Sequence, residues 1–223
     1  MFKKFRELFS SENLLDTAFN TTLKMLEFDN KMYLASKETL REKNNAELSF
    51  DIRKTDRKIN KYEREVRRNV LTHLSIAGTQ NIVPGLVLIS IVIDVERIGD
   101  YTKNIYGLAS KHKVQLSGGK YEKDLKKVEK IIKSNFEIVQ EVLLSQDKKT
   151  ARKIMQLEED VSKVADNIVD NMILNKDKSL NTSDSVTLAM YARYLKRINA
   201  HITNISSAIV NPFPRIGFRE KKK

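Results

Sequence analysis

Cysteine is absent from the chain, proline occurs three times and glycine seven times in 223 residues. Without cysteine there are no disulfides, no thiolate zinc sites and no cysteine nucleophile. Histidine is nearly as scarce, at His73, His112 and His201. Any bound metal would therefore be held mainly by carboxylates, a donor set that suits hard cations or iron better than structural zinc. So few helix breakers imply long uninterrupted helices. A long apolar run is missing too. The most apolar stretch, Ile82 to Ile93, falls short of the roughly 20 residues a membrane span requires. At the N-terminus, Lys3, Lys4 and Arg6 break up any signal-peptide core, so the cytoplasm is the expected compartment. No nucleophile–base pair, phosphate-cradling glycine loop or nucleotide motif is visible, which argues against an enzyme.

What the chain does have is positive charge: 41 Lys and Arg against 29 Asp and Glu, a net +12. Such an excess favours nucleic acid, an anionic membrane surface or an acidic partner. It is spread along the sequence with no base-reading motif, so a basic helical nucleic-acid-binding protein is the weaker alternative. The opening "MFKKFRELF" places Phe2, Phe5 and Phe9 apart from its cations. That segment reads either as a contact with a membrane surface or transporter, or as extra packing on the first helix. The closing "REKKK" reads as a solvated tail.

Helical periodicity runs nearly throughout. The first stripe is Leu15, Ala18/Phe19, Thr22, Met25/Leu26, Met32/Tyr33 and Leu40, and the second is Ile52, Thr55, Ile59, Tyr62, Val66 and Val70. Pro84 suits the first turn of a third helix. "LVLISIVI" alone resembles a buried strand, but its continuation through "VERIGDYTKNIYGLASKHK" keeps helical spacing. After the linker "VQLSGGK" the pattern returns for three more helices, the last running from about Ser183 to Val210. The two sets look like copies. Ile52, Ile59, Tyr62 and Val66 recur as Ile154, Val161, Val164 and Ile168, and "ERIGDYTKNI" lies over "KRINAHITNI". The expected fold is all-α, with six long helices forming two tandem, pseudo-symmetric three-helix bundles. The expected division is an N-terminal segment 1–11, bundles over 12–113 and 120–210, and a basic tail 211–223.

Glu96 and Asp100 are four residues apart on the third helix, hence on one face about 5–6 Å apart. Two like charges there need an answer. Arg97 and Lys103 lie within one turn and supply a purely local one. Alternatively, Asp56 and Asn60 on the second helix bring further oxygen donors alongside, the way helical bundles assemble carboxylate metal sites. Both readings stand at this point. His201 and His73 read as packed or hydrogen-bonded residues, and His112, between two lysines, as a solvated helix end.

At "DVERIGDYTKNI" and its echo "YLKRINAHITNI", the sequence resembles the PhoU family, whose third helices carry an E-R-I-x-D-x-x-x-N-I type motif in each of two repeats. The resemblance covers roughly residues 12 to 210. It implies paired three-helix bundles and a cytoplasmic negative regulator of phosphate uptake or phosphate-starvation signalling. Such a regulator links a phosphate transporter subunit to a phosphate-sensing histidine kinase, or accompanies a sodium–phosphate symporter or phosphate permease. A homodimer and a peripheral contact at the inner membrane face are further expectations. It also implies a metal site on E/D-x-x-x-D motifs, the ion open among iron, zinc, manganese and magnesium. Carried over, the first repeat keeps Glu96, Asp100 and Asp56, with Asn60 where the family usually has a second acid. In the second repeat Lys196 and Ala200 replace the acids, and Ser162 follows Glu158. One metal site is expected, not two. Arg97, Ile98, Asn104 and Ile105 recur as Arg197, Ile198, Asn204 and Ile205, and are expected to serve helix packing.

Overall fold

The computed structural model describes residues 11–44, 51–77 and 81–221. Nearly all of the N-terminal segment singled out above lies outside them. Among the described residues six α-helices occur: α1 (Ser11–Arg41), α2 (Ile52–Ala77), α3 (Ile82–Lys111), α4 (Glu122–Ser145), α5 (Lys148–Ile173) and α6 (Thr182–Val210). Single 3₁₀ turns at Gly119–Tyr121 and Phe213–Arg215 precede α4 and follow α6. No strand occurs among the described residues, so the β-branched run at the start of α3 is helical.

Local chemistry marks the helix boundaries. Asp51 accepts a hydrogen bond from the Lys54 amide at 3.0 Å as α2 begins. Asp147 accepts from the amides of Lys149 and Thr150 ahead of α5, and Asn181 from that of Asp184 ahead of α6. These are side-chain caps for otherwise unpaired helical amides. Gln146, in the left-handed region at φ 57°, makes the tight turn from α4 to α5.

The stripes become one continuous core. Met25, Leu26, Met32, Tyr33 and Leu40 of α1 are buried with Ile59, Val66 and Val70 of α2 and Val92, Val95, Ile98 and Ile105 of α3. In the second bundle Leu125, Ile132 and Phe136 meet Ile154, Val161 and Ile168, and Leu195, Ile198, Ile202 and Ile205. Each three-helix unit is an up-down-up bundle, and the two join mainly where α3 packs on α6.

These helices run antiparallel. Asp94 of α3 meets His201 of α6, while His112, just past α3, meets Asp184 in the first turn of α6. His112 thus corrects the sequence expectation. It is 7% exposed, with Nδ1 against the Val114 carbonyl oxygen at 2.8 Å and Nε2 against Asp184 at 2.7 Å. His201 and His73 are buried and hydrogen-bonded, His73 to Asn81.

The repeated residues also divide. Ile98, Ile198, Ile105 and Ile205 are fully buried packing residues, but Arg97 and Asn104 face solvent. Their echoes do other work: Arg197 donates to the Tyr101 hydroxyl at 3.2 Å, and Asn204 to Asp94 at 3.0 Å. The tail is not simply solvated either. Residues 211–220 fold back, with the Gly217 amide bonded to Ser207 at 2.7 Å and Glu220 paired with Arg152 of α5.

Candidate functional site

The first bundle gathers its acids from all three helices. Asp56 projects from α2 and is only 7% exposed. Glu96 and Asp100 project from α3, one helical turn apart and partly buried. Lys103, a turn further along, ties the two helices together. Its Nζ stands 2.9 Å from both Asp56 oxygens and 2.8 Å from Asp100 Oδ1. Arg97 reaches Asp100 at 3.2 Å and Glu96 at 3.6 Å. Asn60 is half-buried and makes no hydrogen bond with a described residue.

A fourth acid completes the cluster, and the spacing of the acids alone does not reveal it. Asp29 of α1 is fully buried, and neither carboxylate oxygen has a hydrogen-bond partner among the described residues. Burial pushes its pKa well above the ordinary carboxylate range, and the nearby Glu96, Asp56 and Asp100 push it further. Both effects favour the protonated form of Asp29. A signal for it does exist. The stripe on α1 skips from Met25/Leu26 to Met32/Tyr33, and Asp29 occupies the missing core position.

Gly99 of α3 makes room for it, since a Cβ there would sit 2.8 Å from Asp29 Oδ1. The matching residue of the second repeat is Asn199, fully buried and accepting from Asn135 at 2.9 Å.

The other groups respond to the same field. Burial, then the charge of Asp100, raises the Glu96 pKa, with Arg97 acting against the rise. For Lys103 burial opposes the charged form, but the bonds to Asp100 and Asp56 prevail and its pKa is raised. The site is thus a set of converging carboxylates, one of them buried and without a hydrogen-bond partner among the described residues, with a single ammonium bridging two of the others. As it stands, no group of three or more His, Cys, Asp or Glu among the described residues is disposed to hold a metal ion.

The second repeat has lost this arrangement. Lys196 pairs with Asp166 at 2.7 Å, and Ser162 donates to Glu158 at 2.6 Å. Beside Ala200 lies an open groove of about 620 Å³, partly closed by Gly217, Phe218, Arg219 and Glu220 of the folded-back tail.

Two polar clusters set the bundles relative to each other. At the α3–α6 seam, Asp94 Oδ1 lies 2.7 Å from His201 Nδ1 and accepts from Asn204, while Tyr101 stacks on His201. Across from it, Arg41 at the end of α1 donates to Glu129 at 2.8 Å, to both Glu122 oxygens and to the Leu116 carbonyl. Tyr191 of α6 donates to the same Glu129 oxygen at 2.8 Å. Nothing in the sequence pairs these residues, which come from separate segments.

Comparison with known proteins agrees with the doubled architecture. No curated protein matches the chain. The crystal structure of PhoU from Pseudomonas aeruginosa superposes with a TM-score of 0.78, covering 89% of this chain and 96% of that one at 18% identity. At that identity the superposition establishes the shared fold. The sequence itself matches the PhoU domain twice, over residues 22–109 and 125–209, so most of the chain is accounted for and it belongs to the PhoU-domain family.

Proposed function

We propose that this chain is a cytoplasmic adaptor that restrains phosphate uptake or phosphate-starvation signalling through protein contacts rather than catalysis. The observation that carries this reading is the PhoU domain occurring twice, over 22–109 and 125–209. No helix among the described residues is long and apolar enough to cross a membrane, so membrane machinery would be reached by docking. The partner classes are a phosphate-sensing histidine kinase, a phosphate transporter subunit, or a sodium–phosphate symporter or permease. Deleting the gene tests the reading directly. The expected result is a starvation response or phosphate uptake that no longer follows phosphate supply. Unchanged behaviour of both would overturn it. A pull-down at low and high phosphate then decides among the partner classes.

The acid cluster is the proposed control point of this adaptor. Its donors are all oxygen, and the unbonded Asp29 carboxyl is the kind of group that a hard cation would satisfy. Asp29, Asp56, Glu96 and Asp100 would hold such an ion, with Lys103 drawn aside. Asn60 stands next to Asp56 as a further neutral oxygen donor. The ion would supply positive charge that lets Asp29 give up its proton. Metal content and thermal stability of the purified protein, compared with Glu96→Gln/Asp100→Asn, test this. Equal metal content in both would remove the site.

A further inference from the structure

The outer face of α2 is a stripe of exposed cations. Arg53, Arg57, Lys61, Arg64 and Arg68 are all exposed, and their spacing confines them to roughly an 80° arc along about 22 Å of helix. None of the five side chains pairs with a described residue. Lys54 and Lys58 flank the stripe, also exposed. The opposite face, with Ile52, Ile59, Val66 and Val70, is the buried one. The stripe is therefore not required by packing.

The second repeat supplies an internal control. The matching positions on α5 are Met155, Glu159, Lys163, Asp166 and Asp170. There Glu159 pairs with Lys163 and Asp166 with Lys196. The same scaffold helix thus carries three acids and one lysine on this face in one repeat, and in the other five cations with no partner among the described residues. Five like charges on one helix face, none paired with a described residue, repel one another, and an anionic surface outside the chain would answer them.

The end of the stripe indicates which surface. Leu71 continues the same face and is 66% exposed, and Ile76, also on α2, is 58% exposed. Across the hairpin, in the first turn of α3, Val83 is 58% and Ile82 38% exposed. Nucleic acid would use the cations and leave these apolar side chains in water. An anionic bilayer uses both, with arginines at the headgroups and aliphatic side chains at the acyl boundary. We propose that the α2 face, together with the exposed Leu71, Ile76, Ile82 and Val83 at the facing ends of α2 and α3, docks this protein on an anionic lipid surface, with α2 lying along it. This deepens the adaptor reading by placing the protein beside membrane machinery, yet it is tested without any protein partner, so the two can fail separately.

Flotation with phosphatidylcholine vesicles, with and without phosphatidylglycerol, tests the proposal on the full chain. Binding is expected only to the anionic vesicles and should weaken with salt. Arg57→Gln/Arg64→Gln/Arg68→Gln should weaken it about a hundredfold, from the usual contribution of each cation near such a surface. Leu71→Ser/Val83→Ser should weaken it about tenfold. Lys130→Gln/Lys133→Gln/Lys153→Gln removes the same charge from other exposed positions and should change binding little. An equal loss with this control would show that net charge acts, not the face, and would overturn the proposal. Absence of vesicle binding would do so as well, as would duplex DNA binding in its place. Binding lost on deleting residues 1–10 but kept in the triple arginine variant would also overturn it. Circular dichroism of each variant confirms the fold before binding is scored.

Discussion

Replacing Asp29 with asparagine should make the protein more stable at neutral pH. Asp29 is fully buried with both oxygens unbonded, and burial together with Glu96, Asp56 and Asp100 holds its pKa well above the ordinary value. In the unfolded chain the same carboxyl ionises near about 3.9. Between those two pKa values the folded state carries a proton that the unfolded state has lost. Stability therefore falls as pH rises through that interval, by about 1.4 kcal/mol per pH unit for one such group. Asparagine has nearly the same shape and nothing to ionise, so its contribution to the slope vanishes. Its amide loses no hydrogen bond relative to the acid, since the acid makes none with a described residue. For a chain of this size about 1 kcal/mol moves Tm by roughly 2–4 °C. Variant and parent should then separate by roughly 3–6 °C for each pH unit across the interval. Urea titrations and thermal melts in metal-free buffer, in steps upward from about pH 5, measure this. Glu96, whose pKa is raised in the same cluster, leaves a residual slope in the variant. Parallel stability–pH curves would refute the reasoning. So would a less stable variant at neutral pH, because the native Asp29 would then be ionised and paired.

Gly99→Ala should cost about 1–3 kcal/mol by overpacking, since the new methyl would lie 2.8 Å from Asp29 Oδ1 and 3.3 Å from Ile59 Cδ1. Most of that loss should disappear in an Asp29→Ala background, and an undiminished loss there would point elsewhere. Arg41→Met leaves Glu129, 8% exposed, without its charged partner and should cost about 3–5 kcal/mol. Adding Glu129→Leu should recover most of it in the same denaturation assay, and a second loss of similar size would count against a buried-charge origin. Lys103→Met removes the ammonium that joins Asp56 to Asp100, so titration calorimetry with magnesium or manganese should show tighter binding than the parent. Unchanged or absent binding would argue against a cation site in the first bundle.

The acid cluster was legible in its members on α2 and α3, Asp56, Glu96 and Asp100. Glu96 and Asp100 share a face by spacing alone, and the replacement of both by Lys196 and Ala200 in the echo already marks the halves as chemically unequal. Asp29 showed only as a gap in the apolar stripe of α1. Lys103 had the expected local partner, Asp100, but its second partner, Asp56, is 47 residues away in the chain. His112 was misjudged, and the different roles of Arg197 and Asn204 from those of Arg97 and Asn104 were hidden, for one reason. Each takes its role from a neighbour contributed by another segment.

Sequence alone therefore determined the helices, their doubling and the family, because helical period and repeat offset are local and linear properties. Tertiary structure decided how far each helix is rotated against its neighbours. That rotation follows from how side chains interlock across the core, a property of several helices at once. It is what buries Asp29 beside the other acids, makes Lys103 a bridge between helices, and turns the cations of α2 outward with no partner among the described residues.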